Sequence, residues 1–231
     1  MNENLETDRE LKAEIKLYYD LYVPENADSP VPLLIALHGY GAHKYSMMRE
    51  ARKFAPANFA IATLQGFHQH WREPEAAGSK YKVGFGWLTS YKPEDSVAVH
   101  HRALLDLIET LVREGIAVEK QVFLLGFSQS CALNFRFAFS NPGLLRGIIG
   151  ICGGIPGDWS ENQSYRQISA DVFYLYGTRD EFYPLEQFEE NAEKLKSRAP
   201  GLRSQTYDSA HEITDEMRAD IGEWLTHKTM K

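Results

Sequence analysis

Hydrophobic residues along this chain follow two rhythms that take turns. Near-continuous apolar runs at 33–37 and 59–64 have the length and composition of strands covered on both faces. Before them, Ile15, Leu17, Tyr19, Leu21 and Val23 alternate with mostly polar residues, which predicts an edge strand with one wet face. A helical stretch is expected near 44–55. Val97, His101, Leu104, Leu105, Ile108, Leu111 and Val112 then fall at helical spacing, with Asp95 or Ser96 as cap and Gly115 as stop. Further strands are expected at 121–125, 146–151, 172–176 and 203–208. Helices are expected near 129–141, 185–198 and 213–227. Strands alternating with helices of ten or more residues imply an α/β fold, a mostly parallel twisted sheet with helices on both faces. In such a sheet, reactive residues collect on loops at the C-terminal ends of the strands.

Composition narrows the picture. At 231 residues, 43% of them hydrophobic, the chain suits a single domain spanning 1–231. Its net charge of −7 repels phosphate backbones and argues against a nucleic-acid partner. No run approaches the roughly 20 apolar residues of a membrane span. The first ten residues, MNENLETDRE, lack the basic start and apolar segment of a signal peptide, so a cytoplasmic location is expected. Cys131 and Cys152 make no disulfide framework, lack metal-ligand spacing and read as small buried packing residues.

The chemistry sits where the strands end. In Gly126-Phe127-Ser128-Gln129-Ser130, an apolar strand gives way at once to a helix-compatible run. That is the outline of a nucleophile elbow, a sharp turn presenting a serine hydroxyl; a plain helix cap is the alternative. Gly177-Thr178-Arg179-Asp180 follows the next strand but one and offers a carboxylate, unless Asp180 is only a turn residue. Ser209-Ala210-His211-Glu212 precedes the final helix, where His211 could also be a solvated loop residue. Ser128, Asp180 and His211 stand 52 and then 31 residues apart. Serine, acid, histidine is the order found in α/β-hydrolases, so these three are the expected catalytic triad. His38-Gly39-Tyr40-Gly41 follows the first buried strand. Its glycines let backbone amides face a substrate oxygen, so the N–H groups of Tyr40 and Gln129 are the expected oxyanion donors. His38 reads as a packed residue shaping that loop. His68 and His70 lack further ligands for a metal site.

These segments carry a resemblance. Leu37-His38-Gly39-Tyr40-Gly41 is similar to the L-H-G-x-G of the carboxylesterase and phospholipase branch of the α/β-hydrolases, which includes acyl-protein thioesterases. Gly126-Phe127-Ser128-Gln129-Ser130 resembles that family's G-F-S-Q-G, Gly177 to Asp180 with Pro184 its acid loop, and Ala210-His211-Glu212-Ile213 its histidine segment. Gly86-Trp87-Leu88 falls where the family commonly has a Trp-Phe pair. The resemblance runs from about Pro32 to Trp224. It implies a single-domain α/β-hydrolase with no cofactor that cleaves small-molecule acyl esters or thioesters through an acyl-enzyme. A peptidase, a lactone hydrolase or a catalytically silent binding protein are the alternatives. The chain departs from the family in Ser130 for Gly, Tyr40 for an aliphatic residue and Leu88 for an aromatic. It departs again in a long aromatic-rich segment at 66–93, expected as a pocket insertion with Trp87 and Leu88 contacting substrate.

Overall fold

The computed structural model describes residues 6–25, 30–73, 76 and 79–229. Its elements are β1 (Tyr19–Tyr22), β2 (Val31–Leu37), α1 (Lys44–Ala51), β3 (Ala60–Leu64), β4 (His68–Arg72), β5 (Lys82–Gly86) and α2 (Pro93–Arg113). They continue with β6 (Ala117–Phe127), α3 (Gln129–Ser140), β7 (Gly147–Ile151), β8 (Asp171–Gly177), α4 (Leu185–Lys196), β9 (Leu202–Tyr207) and α5 (Asp215–Thr229). Seven strands make one sheet in the order β1-β3-β2-β6-β7-β8-β9, parallel except for β1 against β3. This is the mostly parallel, doubly covered sheet that the sequence pattern implies.

The continuous apolar runs follow from burial on both faces. Leu33, Ile35 and Leu37 of β2 join one core with Leu104 of α2, Leu133 of α3 and Leu195 of α4. Leu34 and Ala36 face the other way, in a core with Met47 of α1 and Ile221 and Trp224 of α5. Each such fully buried aliphatic side chain contributes about 1.5–3 kcal/mol of transfer free energy, so a polar residue on either face would be costly. Because the crossovers are helical, the C-terminal ends of β2, β6, β8 and β9 all open toward one edge of the sheet. The loops bearing Gly39, Ser128, Asp180 and His211 start there.

Three features differ from the sequence reading. The edge strand is shorter than the 15–23 alternation: β1 pairs with β3 only from Tyr19↔Leu64 to Tyr22↔Ile61, and Ile15 is exposed. β3 ends at Leu64, and beyond it Gln65 N donates to Tyr18 O at 2.8 Å. Helix α2 starts earlier than expected and is not capped by Asp95 or Ser96. Pro93 opens it, since its fixed φ suits the first helical position, and Lys92 is the N-cap with no side-chain cap bond. Asp95 lies in the first turn, where its charge favours the helix dipole, and the Ser96 hydroxyl is bonded to His68 Nε2 at 2.8 Å. Finally, the 66–93 segment contains an antiparallel hairpin, β4 with β5, running from His68↔Gly86 to Arg72↔Lys82. Its polar first strand and glycine-bearing second strand hide it from a periodicity reading. Among the described residues no helix is long and apolar enough to cross a membrane.

Candidate active site

Ser128 joins β6 directly to α3 with φ 56° and ψ −120°. A non-glycine residue here costs on the order of 1–3 kcal/mol and persists only where its surroundings over-determine it. They do: its N–H donates to Ile151 O at 2.9 Å and its carbonyl accepts from Cys131 N at 3.0 Å. Gly126 is required by the close packing of α3 on β6, because a Cβ there would lie 2.7 Å from Asn134 Nδ2 and 3.1 Å from Cys131 Cα. Ser130, standing in for the second glycine, is fully buried. Its hydroxyl accepts from Phe127 N (3.0 Å) and donates to Leu37 O (3.1 Å) or Phe127 O (3.0 Å). The extra hydroxyl therefore caps the last rung between β2 and β6.

β8 ends at Gly177, and a tight turn, Asp180 N to Gly177 O at 3.0 Å, presents Asp180. Its Oδ1 accepts from the N–H groups of Phe182 (2.9 Å) and Tyr183 (3.1 Å), and its Oδ2 accepts from His211 Nδ1 at 2.7 Å. The Asp180 side chain is 0% exposed and that of His211 12%. An ionised carboxylate only accepts, so the proton sits on His211 Nδ1 and leaves Nε2 as an acceptor. Three aromatic rings fence the imidazole: Phe127 (centroids 4.9 Å apart), Phe182 (4.8 Å) and Tyr183 (6.0 Å). The Ser128 hydroxyl lies near the Tyr183 phenol. Among the described residues it makes no hydrogen bond to His211; such contacts commonly tighten only once substrate is bound. Cys152, at φ 47°, donates its thiol to Glu212 O at 3.8 Å, and burial pushes that thiol up to about 12. The ligand-type atoms of Cys152, Asp180 and His211 lie within 4.8 Å of one another. Asp180 and His211 are committed to each other, and the thiol is held protonated, so this donor set is already satisfied without an ion.

The loop after β2 comes very close to the elbow. A Cβ on Gly39 would stand 3.1 Å from Phe127 Cδ1 and 3.2 Å from Ser128 Cβ, so a larger residue would press directly on the nucleophile turn. The close approach places Tyr40 N–H and Gln129 N–H, the expected oxyanion donors, on residues adjoining one contact. Among the described residues neither N–H has an acceptor. His38 shapes the loop as expected from the sequence. Its Nδ1 donates to Gly39 O at 2.7 Å, and its Nε2 accepts from Gly66 N (3.0 Å) and Gln65 Nε2 (3.1 Å). Burial pulls this imidazole down to about 4, which keeps it neutral.

Trp87, expected on a pocket wall, has no exposed surface. Its indole N–H donates to His38 O at 2.7 Å and its ring packs on His38, Phe67 and His100, beneath the loop rather than beside a substrate. An indole is large enough to fill that space and needs one polar partner, which the His38 carbonyl supplies. Leu88 is half-buried and packs against the same core. The Gln129 side-chain amide clamps both: Oε1 accepts from Trp87 N (2.9 Å) and Nε2 donates to Leu88 O (3.0 Å). Tyr40 is 63% exposed and stacks on His70 of the hairpin, with centroids 4.5 Å apart. Beside it lies a cleft of about 530 Å³ that includes Gly41, Trp71 and Arg72.

Sequence reasoning did not single out Tyr183, the Cys152 thiol or the Gln129 side chain. The available signal for Tyr183 was its place between the Asp180 carboxylate and Pro184, in a stretch short enough to bring any side chain back over the turn.

Comparison with known proteins bears on the fold and the family. Among solved structures, esterase PE8 superposes with a TM-score of 0.71 at 19% identity, over 92% of this chain and 99% of that one. The Bacillus cereus carboxylesterase gives 0.70 at 16%, over 92% and 94%, and Zea mays acyl-protein thioesterase 2 gives 0.65 at 16%, over 91% and 98%. These likenesses show a shared α/β-hydrolase fold. Acyl-protein thioesterase 1 of Eremothecium gossypii is 38% identical over 79 residues, 34% of this chain, and the match spans about a third (33%) of that protein's length. The phospholipase/carboxylesterase family matches residues 20–229, nearly the whole chain, and the chain belongs to that family.

Proposed function

We propose that the protein is a serine hydrolase that cleaves carboxylic esters or thioesters by acyl transfer. The observation that carries this is the strained Ser128 at a strand-to-helix turn, in one site with a buried Asp180–His211 pair of fixed tautomer. Ser128 Oγ attacks the carbonyl carbon while His211 Nε2 takes its proton. Negative charge gathers on the carbonyl oxygen, where the Tyr40 and Gln129 N–H groups await an acceptor. The imidazolium is stabilised by Asp180 and passes its proton to the departing alcohol or thiol. Water then attacks the acyl-serine with His211 as base, and the proton returns to Ser128 Oγ as the acid leaves.

Thioesters enter this reading through the partial likeness to acyl-protein thioesterase 1, esters through the family itself. The test is a panel of p-nitrophenyl esters, acyl thioesters, lactones and peptides given to the purified protein and to Ser128→Ala. Ester or thioester hydrolysis that disappears in Ser128→Ala supports the proposal. Turnover of peptides or lactones alone, or none of any substrate, overturns it.

A further inference from the structure

The two N–H groups read as oxyanion donors belong to separate parts of the chain, the loop after β2 and the first turn of α3. One short segment where β5 ends, Gly86-Trp87-Leu88, touches both parts. The side-chain amide of Gln129 is engaged with it at both ends: Oε1 accepts from Trp87 N at 2.9 Å and Nε2 donates to Leu88 O at 3.0 Å. A backbone N–H can only donate and a carbonyl can only accept, so this pairing fixes which way the amide faces. The same strand end holds the loop after β2. Trp87 Nε1 donates to His38 O at 2.7 Å, and Phe85 O accepts from Gly41 N at 2.8 Å. Tyr40 lies between these two ties. Gly86 packs against both donor-bearing residues: a Cβ there would stand 3.2 Å from Tyr40 Cδ2 and 3.3 Å from Gln129 Oε1.

We propose that the Gln129 side chain is a positioning group: its amide ties α3 to the Trp87–Leu88 backbone, and through that segment it sets the spacing between Tyr40 N–H and Gln129 N–H. This rests on the reading of those two N–H groups as the oxyanion donors. The loop after β2 has no helix or strand of its own across His38-Gly39-Tyr40-Gly41, so its distance from α3 depends on such ties. An oxyanion donor is effective only within about 2.7–3.1 Å of the oxygen on which charge develops. Misplacing a reacting group by about 1 Å can cost on the order of 10²-fold in rate. Among the described residues the amide makes no hydrogen bond to Ser128, Asp180 or His211, so its removal leaves the Asp180–His211 bond in place. Its influence therefore falls on the charged oxygen, and is read in kcat rather than in KM.

Gln129→Met keeps the length of the side chain and removes both hydrogen bonds. Gln129→Glu keeps an acceptor for Trp87 N but sets a carboxylate against Leu88 O. For each variant the experiment measures kcat and KM on short and long p-nitrophenyl esters, the melting temperature, and the affinity for a trifluoromethyl ketone. Ser128 Oγ adds to the carbon of that ketone, its proton passes to His211 Nε2 and the carbonyl electron pair moves onto oxygen, so the adduct carries the oxyanion. We expect kcat to fall by about tenfold or more in both variants, equally for short and long chains, with KM within about twofold. Affinity for the trifluoromethyl ketone should fall in step with kcat. Gln129→Glu carries the test if Gln129→Met does not fold. Unchanged kcat, a loss that depends on chain length, a trifluoromethyl ketone held as tightly as by wild type, or loss of folding in both variants overturns this proposal alone. A wild type that binds the trifluoromethyl ketone no better than the matching methyl ketone overturns the oxyanion reading with it.

Discussion

Removing the Ser130 hydroxyl tests how the elbow tolerates a serine at the second glycine position of the G-x-S-x-G pattern. In Ser130→Ala, the buried bond to Leu37 O disappears, while that carbonyl keeps its place in the β2–β6 ladder. The Phe127 N–H loses its Oγ acceptor at the same time, and removing a hydroxyl bonded in this way costs about 1 kcal/mol. Ser130→Gly adds the entropy of a glycine inside α3, for about 2 kcal/mol in all. In a protein of this size each kcal/mol lowers the melting temperature by roughly 2–4 °C. Differential scanning fluorimetry should therefore rank wild type above Ser130→Ala above Ser130→Gly. Activity should change by less than about tenfold in either variant, equivalent to ~1.4 kcal/mol in the barrier, because Ser128 is held mainly by Ile151 and Cys131. An Ala variant that melts like wild type would show that the hydroxyl bond contributes nothing. A hundredfold gain in Ser130→Gly would show that the serine distorts the turn, and would refute the reasoning above.

Asp180→Asn should lower kcat by about 10³–10⁴ with little loss of folding, since an amide N–H facing Nδ1 forces the His211 proton onto Nε2, where it blocks proton uptake; near wild-type turnover would exclude His211 as the base. Trp87→Phe keeps most of the ring volume but leaves His38 O without its indole donor. It should reduce kcat severalfold with the acyl-chain preference unchanged, whereas a shifted preference at intact kcat would return Trp87 to the pocket wall. Acid should destabilise the fold at a pH above the carboxylate range. Burial takes His38 and His101 down to about 4 and His100 to about 3, so between about 6.5 and 4 the unfolded chain binds more protons than the folded one. Stability falls as pH drops through that window, by on the order of 3 kcal/mol for His38 alone. Urea titrations giving the same free energy at pH 7 and pH 4.5 would contradict this.

The strands under the site were legible because they are buried on both faces, so their apolar runs are continuous and end abruptly at the reactive loops. Ser128 and Asp180 could be placed for the same reason, each following such a run, whereas His211 follows the half-exposed edge strand β9 and could be placed only by its position before the last helix. The hairpin β4–β5 was not legible. Its strands form a separate two-stranded sheet, joined to the loop after β2 by the Ala42–Phe85 bridge, and its first strand is mostly polar, so burial imposes no continuous apolar pattern on it. Helix α2 misled at its start because Asp95 and Ser96 are good cap residues in isolation, while Pro93 decides the first turn. The placement of Trp87 beneath the oxyanion loop, and of Tyr183 over His211, depends on contacts between segments far apart in sequence. No local pattern encodes these.

The central claim is that Ser128 is the atom-transferring nucleophile, and intact-protein mass spectrometry after brief exposure to a fluorophosphonate tests it most directly. The account predicts one covalent adduct on the wild type, located by peptide mapping to Ser128, with hydrolysis of esters lost in proportion to labelling and no adduct on Ser128→Ala. An adduct on another residue that abolishes activity, or an active protein that is never labelled, would contradict it.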